Sequence, residues 1–209
     1  MEPHPAPIWQ KALPFIVLLP TAAITNGSLA SLAIVLLTLA VVRPSRGPTL
    51  SFLGESWVRD AAIGILAGLI LWLCSDQIWD PLLSQWLGPI KLDSLSGVRG
   101  NVLNYLVLMA IAFLYGGLVE ELVFRGFVIG WGSSLLGPRS VVPLVLLSSA
   151  VFGSAHFYQG LSGAISTGLI GLGLALLYVG TGKRLLAPVL AHMVLDAIGV
   201  TEIFLGING

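Results

Sequence analysis

The chain has 209 residues, of which 56% are hydrophobic and only 10% charged, and its formal net charge is zero. Its mean hydropathy is +0.95. Soluble domains carry about 25% charged residues, so this composition excludes an ordinary soluble domain, and the balanced charge gives no basis for a nucleic-acid partner. The expectation is an all-α, polytopic membrane helix bundle of six to eight transmembrane helices, set in a lipid bilayer around an intramembrane polar cavity.

Residues 1–12 read as an N-terminal tail, polar and proline-rich over the first ten. No cleavable signal peptide is expected, because no basic region precedes the first apolar run and that run continues too far. Residues 13–101 read as N-terminal transmembrane helices. As one helix, residues 13–42 would rise about 45 Å against a hydrocarbon core of about 30 Å. Pro20 and the turn signal Asn26-Gly27-Ser28 leave two forms open, one long kinked helix or a tight hairpin. Residues 43–60 read as a loop holding Arg43, Arg46 and Arg59. Residues 61–79 read as a clean span closed by Trp72 and Trp79 as interfacial belt residues. Cys74 is the single cysteine, so it has no partner for an internal disulfide and reads as a small apolar residue. A polar connection follows over 80–101.

Residues 102–209 read as the core. A span over 102–119 leads directly into Glu120-Glu121. Residues 126–136 are apolar but too short to cross, and are expected to lie at the interface or dip partly in. A turn at 137–140 precedes a span over 141–158 that carries His156. Residues 164–179 form a glycine-rich span suited to close helix contact. After a basic loop at 180–184, the last span, Leu186–Leu205, carries His192 and Asp196. Six crossings put Arg43, Arg46, Arg59, Arg125, Arg139, Lys183 and Arg184 on one side, cytoplasmic by the positive-inside rule. Lys11, Lys91 and Arg99 fall outside it, and a hairpin over 13–42 would return Lys11 to it.

Ionisable groups within a transmembrane segment cost roughly 2.5–3.5 kcal/mol each on insertion scales, so those that persist are functional candidates. Glu121 and Arg125 stand four apart and pair on one helix face. Glu120 is turned from Glu121 by about 100°, which leaves it free as a general base or proton relay. The blander reading is that both acids share Arg125 in a packing clamp. His192 and Asp196 also stand four apart, so Asp196 can fix the tautomer and orientation of His192. His156 follows Phe152 by one turn and is either part of the chemistry or an interhelix hydrogen-bond partner. The third histidine, His4, lies in the tail. Together Glu120 can deprotonate water, while His156 and His192 stabilise an oxyanion or bind a metal. Glu121 and Arg125 then hold the helix in register. The set His156, His192 and Asp196 would suit a divalent metal such as zinc, although the H-E-x-x-H spacing is absent. One feature of depth conflicts with this grouping. Crossing arithmetic puts Glu120 and His192 in the cytoplasmic half, whereas His156 stands about 25 Å from Arg139 at 1.5 Å per residue.

At these residues the chain resembles the CPBP family of intramembrane proteases, which includes the CAAX prenyl proteases and bacterial abortive-infection proteins. The family motifs EExxxR, FxxxH and HxxxN or HxxxD stand here as Glu120-Glu121-Leu122-Val123-Phe124-Arg125, Phe152-Gly153-Ser154-Ala155-His156 and His192-Met193-Val194-Leu195-Asp196. The resemblance implies an endopeptidase acting on a membrane-embedded or membrane-tethered peptide or protein, in a bacterial inner membrane. It implies Glu120 and His156 as the water-activating pair and His192 with Asp196 as the oxyanion-stabilising part, with Glu121, Arg125 and Phe152 in support. Family members have been described both as glutamic and as metalloproteases. The freedom of Glu120 favours the glutamic form, which requires no cofactor; the alternative is a divalent-metal enzyme using the same residues. The shortness of the chain argues against prenyl-protein processing as its physiological role. A non-catalytic immunity or scaffold protein would be expected to lack a motif residue, and none is missing. A proton-coupled transporter would be expected to show inverted repeats, and the sequence has no half-to-half similarity.

Overall fold

The computed structural model describes residues 6–23 and 27–207, and among these there is no strand. Among the described residues eight main helices form the frame: α1 Ile8–Ala23, α2 Gly27–Val41, α3 Arg43–Thr49, α4 Trp57–Leu87, α5 Val102–Leu136, α6 Pro138–Ser154, α7 Phe157–Gly180 and α8 Leu186–Leu205. Helices α4, α5, α7 and α8 are long and apolar enough to cross a membrane, and α2 with α3, bent by 117°, makes a fifth candidate. The all-α bundle expected from composition is the observed architecture; four or five of its helices are fit to cross a membrane by length and composition, against the six to eight expected.

Residues 13–42 form a hairpin rather than one kinked helix. The hydroxyls of Thr21 and Ser31 lie 2.8 Å apart, and Ser31 donates to Val17 O at 2.5 Å. These contacts close α1 against α2 across the turn signal, whose Asn26 lies outside the described residues. The tail is shorter than expected, because helix starts at Ile8, directly after Pro7; His4 lies outside the described residues. The arginine-rich loop is helical over its first part. Arg46 donates from Nε to Leu39 O at 2.7 Å and from Nη2 to Ala40 O at 3.0 Å. The guanidinium thus satisfies carbonyls that the end of α2 leaves open, and α3 folds back beneath it.

Helix α4 does not stop at residue 79. It runs to Leu87 through a wide, π-type turn at Ser75–Trp79. Its polar residues find partners, so the chain has no reason to leave the helix. Ser75 donates to Asp80 Oδ2 at 2.7 Å, and Trp79 Nε1 donates to Ser166 Oγ at 3.1 Å on α7. Trp72 likewise donates to Glu202 Oε1 at 3.2 Å on α8. Both tryptophans therefore serve as interhelical donors.

The largest departure is at residues 126–136. They continue α5 instead of lying at the interface, so α5 runs unbroken from Val102 to Leu136. Val123, Phe124, Phe127, Val128, Ile129 and Trp131 are all buried in the main apolar core, with Phe152 of α6 and Tyr178 of α7. Arg125 is buried among them and leaves the cytoplasmic set. This continuation also removes the conflict of depth. Glu120 precedes the turn at Gly137, where φ is +90°, by 17 residues, and His156 follows it by 19. At 1.5 Å per residue the two legs are about 25 and about 28 Å, so α6 returns His156 to the level of Glu120.

Missing side chains set the helix spacing. A Cβ on Gly68 of α4 would stand 2.6 Å from Ala191 O and 2.8 Å from Val194 Cβ of α8. A Cβ on Gly153 of α6 would stand 2.8 Å from Gly168 Cα of α7. Small residues let backbones close to this range, where packing replaces the hydrophobic drive that lipid cannot supply. Gly68→Val is expected to destabilise the folded protein in detergent by about 1–3 kcal/mol, the usual range for overpacking, read as an earlier midpoint in denaturant titration. An unchanged midpoint would contradict the close α4–α8 contact.

Candidate active site

Three segments bring the motif residues together. Glu120, Glu121 and Arg125 come from the middle of α5, Phe152 and His156 from the end of α6 and the turn after it, and His192 and Asp196 from α8. The α5 backbone is wound in wide, π-type turns on both sides of Glu121, over Ala112–Glu120 and Leu122–Trp131. Such turns inside helices occur disproportionately at functional sites.

Glu121 Oε1 accepts from Arg125 Nη1 at 2.8 Å, which is the pair expected from spacing. The same oxygen accepts from His192 Nδ1 at 2.8 Å. Arg125 also donates from Nη2 to Gly171 O of α7 at 2.8 Å, and its guanidinium lies 4.9 Å from the centre of the Phe152 ring. Glu121 and Arg125 are both fully buried, at 0% exposure. The Glu121 carboxylate therefore ties α5 to α8, and Arg125 ties α5 to α6 and α7.

The spacing argument for His192 is modified in one respect. Asp196 Oδ1 stands 3.8 Å from His192 Nε2, too far for a hydrogen bond. The group that holds the imidazole is Glu121, on another helix. Because a carboxylate offers no proton when ionised, the Glu121 contact assigns the proton to Nδ1 and leaves Nε2 facing Asp196. His156 is held in a parallel way, with Nδ1 at 2.9 Å from Phe152 O. A carbonyl only accepts, so here too Nδ1 carries the proton and Nε2 stays free. The Phe152 ring contacts both histidines, with ring centres 5.2 Å from His156 and 5.8 Å from His192.

Glu120 is buried at 8% exposure and makes no hydrogen bond within the described protein. It lies within electrostatic reach of His192, Asp196, Glu121 and Arg125. A buried carboxylate without a bonded partner, within reach of the His192 imidazole, can exchange a proton with a bound water or substrate.

Three contributors escaped the sequence reading. Gly116, one turn before Glu120, keeps the front of the cluster open, since a Cβ there would lie 2.7 Å from Asp196 Oδ2 and 3.5 Å from His192 Nε2. Gly171 lends its carbonyl to Arg125, and a Cβ on it would stand 2.9 Å from Phe152 Cδ1. Tyr158 stacks beside His156 with ring centres 5.7 Å apart. The signal available for the first was the Gly116-Gly117 pair inside an apolar helix, since each interior glycine costs about 1 kcal/mol against alanine and so marks a close approach. For Gly171 the signal was the glycine-rich run 164–179, which marks close helix contact without saying with what; for Tyr158 no local signal existed.

Among the described residues no three His, Cys, Asp or Glu side chains gather closely enough to hold an ion. His156, His192 and Asp196 therefore do not form the ligand set that a metal would need in this geometry.

Residues 102–198, slightly under half of the chain, match the family model described as Rce1-like, type II CAAX prenyl endopeptidase. No curated protein and no solved structure matches. The family match covers all three motifs. It supports the CPBP/CAAX protease family over that stretch and supports an intramembrane endopeptidase as the activity of an integral membrane protein.

Arg125→Met strands the Glu121 carboxylate in the core and is expected to cost about 3–5 kcal/mol of stability, as breaking a buried pair does. Adding Glu121→Gln is expected to recover part of that loss in chemical unfolding of the detergent-solubilised protein, and a double variant no more stable than the single one would contradict the pairing.

Proposed function

We propose that this helical membrane protein, matched to CAAX-type endopeptidases over residues 102–198, hydrolyses a peptide bond by glutamate-activated water. The observation that carries the reading is the contrast between two adjacent acids. Glu121 is bonded to Arg125 and His192, whereas Glu120 beside it is buried and unbonded.

In the proposed reaction Glu120 takes a proton from a water that also donates to the free Nε2 of His156. The water oxygen attacks the scissile carbonyl carbon. The oxyanion so formed accepts from His192, whose doubly protonated form presents Nε2–H. Glu121 holds that ring from behind through Nδ1, and Asp196 balances its charge from 3.8 Å. Collapse of the tetrahedral species breaks the C–N bond, and Glu120 passes its proton to the leaving amine. The products are a carboxylate-ended and an amine-ended fragment. Every step runs on side chains of this chain, and no step is assigned to a metal because the residues do not form a ligand set.

The proposed substrate is a membrane-embedded or membrane-tethered peptide or protein, since the cluster sits about midway along α5, a helix long and apolar enough to cross a membrane. The proposed membrane is a bacterial inner membrane with the end bearing Arg43, Arg46, Arg139 and Lys183 toward the cytoplasm, as the positive-inside rule requires. The proposed protease core, 102–209, contains every residue of the cluster, and α1 to α3 wall its inner half.

Glu120→Gln is expected to lower kcat toward a lipid-anchored reporter peptide in proteoliposomes by about 10²- to 10⁴-fold, the range for loss of a general base, with the helical content unchanged. Full activity in that variant would sink the assignment of Glu120. Protein passed over a chelating resin is expected to keep its activity, and a loss restored by one divalent metal would replace the glutamic reading by the metal one.

A further inference from the structure

A second polar feature lies at the basic end of the bundle and includes none of the active-site residues. It is a cavity of about 530 Å³ between α3, the end of α5, the start of α6 and the loop after α7. Its single charged lining residue is Lys183, and no carboxylate lines it. Lys183 Nζ donates to the Ser133 hydroxyl at 2.7 Å. No carboxylate pairs with it among the described residues, so a neutral oxygen is its only bonded partner.

The hydrogen-bond inventory of the wall is unbalanced toward donors. Ser133 and Ser134 already give their own protons to Gly130 O at 3.1 Å and Trp131 O at 2.7 Å. Tyr178 is fully buried, and its hydroxyl has no partner among the described residues. The Ser51 hydroxyl also lines the cavity and makes no bond within the described protein. The wall thus offers two N–H groups of Lys183, the O–H of Tyr178 and the O–H of Ser51, with one positive charge and no acid. A buried hydroxyl left unbonded costs about 1–3 kcal/mol, which a ligand acceptor would remove.

Two backbone features keep this arrangement in place. A Cβ on Gly130 would fall on the Tyr178 hydroxyl, so only glycine leaves room for that group in the cavity wall. Lys183 has φ of 61° and is the one described non-glycine residue in the left-handed region. An L-residue there costs about 1–2 kcal/mol, and glycine would avoid it. The loop nonetheless carries a lysine at that point, and its backbone N–H donates to the Tyr178 carbonyl at 2.8 Å, which ties the loop to the end of α7.

We propose that this cavity is an anion site that takes a phosphate group, held by Lys183 Nζ, Tyr178 Oη and Ser51 Oγ. A phosphate supplies several acceptor oxygens and negative charge, matching three donors of which one is cationic. The cavity exceeds the needs of a bare ion and falls within the size range of ligand pockets, about 300–1,000 Å³. Exposed Arg43, Arg46 and Arg139 on the same end concentrate anions there. The phosphate belongs either to an anionic lipid headgroup, which this leaflet would present, or to a soluble phosphate.

The two sources are separated with the full chain. Inorganic phosphate is titrated against protein in uncharged detergent, with the melting temperature as readout. Separately, protein from phosphatidylcholine vesicles with and without phosphatidylglycerol is assayed for retained lipid by native mass spectrometry. Retention of phosphatidylglycerol without a response to phosphate assigns the site to a headgroup, and a response to phosphate assigns it to the soluble ion. In either case Lys183→Gly is expected to weaken binding about tenfold, one charge-assisted hydrogen bond being worth about 1.5–3 kcal/mol. That variant also relaxes the left-handed backbone, so loss of binding in it is not loss of fold. Tyr178→Phe, which removes only the hydroxyl, is expected to weaken binding severalfold. No response to either probe, or responses that survive both substitutions, would overturn the proposal.

Discussion

The Glu121 carboxylate is the point on which the bundle depends. It sits in the core at 0% exposure and accepts from Arg125 of its own helix and His192 of α8, each at 2.8 Å. Arg125 extends the network to the Gly171 carbonyl of α7 and the Phe152 ring of α6. Four helices are thus joined through two charged side chains. In lipid, helices gain little by hiding apolar surface from one another, so polar bonds and close packing decide how they dock. A buried ion pair of this kind contributes specificity of register as much as stability, and here the register is what brings His156 and His192 both against Phe152.

The network also accounts for the different condition of Glu120. Adjacent residues on a helix cannot serve one partner equally, and Glu121 takes both available donors. Glu120 is left buried near His192 with no hydrogen bond of its own among the described residues. The space in front of it exists because Gly116 has no side chain, and the docking of Arg125 on Gly171 exists because that glycine admits Phe152. Chemistry at this place, as proposed, rests on residues that contribute only by being small.

The N-terminal helices have a supporting part that is easily overlooked. Helix α3, bent 117° from α2, lies against the inner half of α5, where a Cβ on Gly126 would meet Thr49 O. Together with α1 it covers the run from Val123 to Trp131. That cover allows α5 to continue past Arg125 as a buried helix, and the same segment walls the phosphate cavity at the basic end. The two polar features of the protein therefore share one helix, the first at its middle and the second at its end.

Much of this was readable in the chain. Composition alone specifies an all-α membrane bundle, because only helices or closed barrels satisfy the backbone in lipid and the apolar runs have helical length. The four-residue spacings identify Glu121 with Arg125 and His192 with Asp196 as same-face pairs, since helix geometry is local. The limits of α8, Leu186–Leu205, also follow from local hydropathy. Three things did not follow. Hydropathy ended the span at residue 119, because charges look like an exit from lipid; burial of Arg125 against Glu121 and Gly171 removes that reason and lets α5 run on. The depth of His156 did not follow for the same reason, being set by the full length of α5 before the turn at Gly137. The hydrogen bond from His192 to Glu121, across 71 positions, has no signature in spacing at all. Periodicity reports which residues share a face of one helix, and only the docking of helices through glycine contacts decides which faces meet.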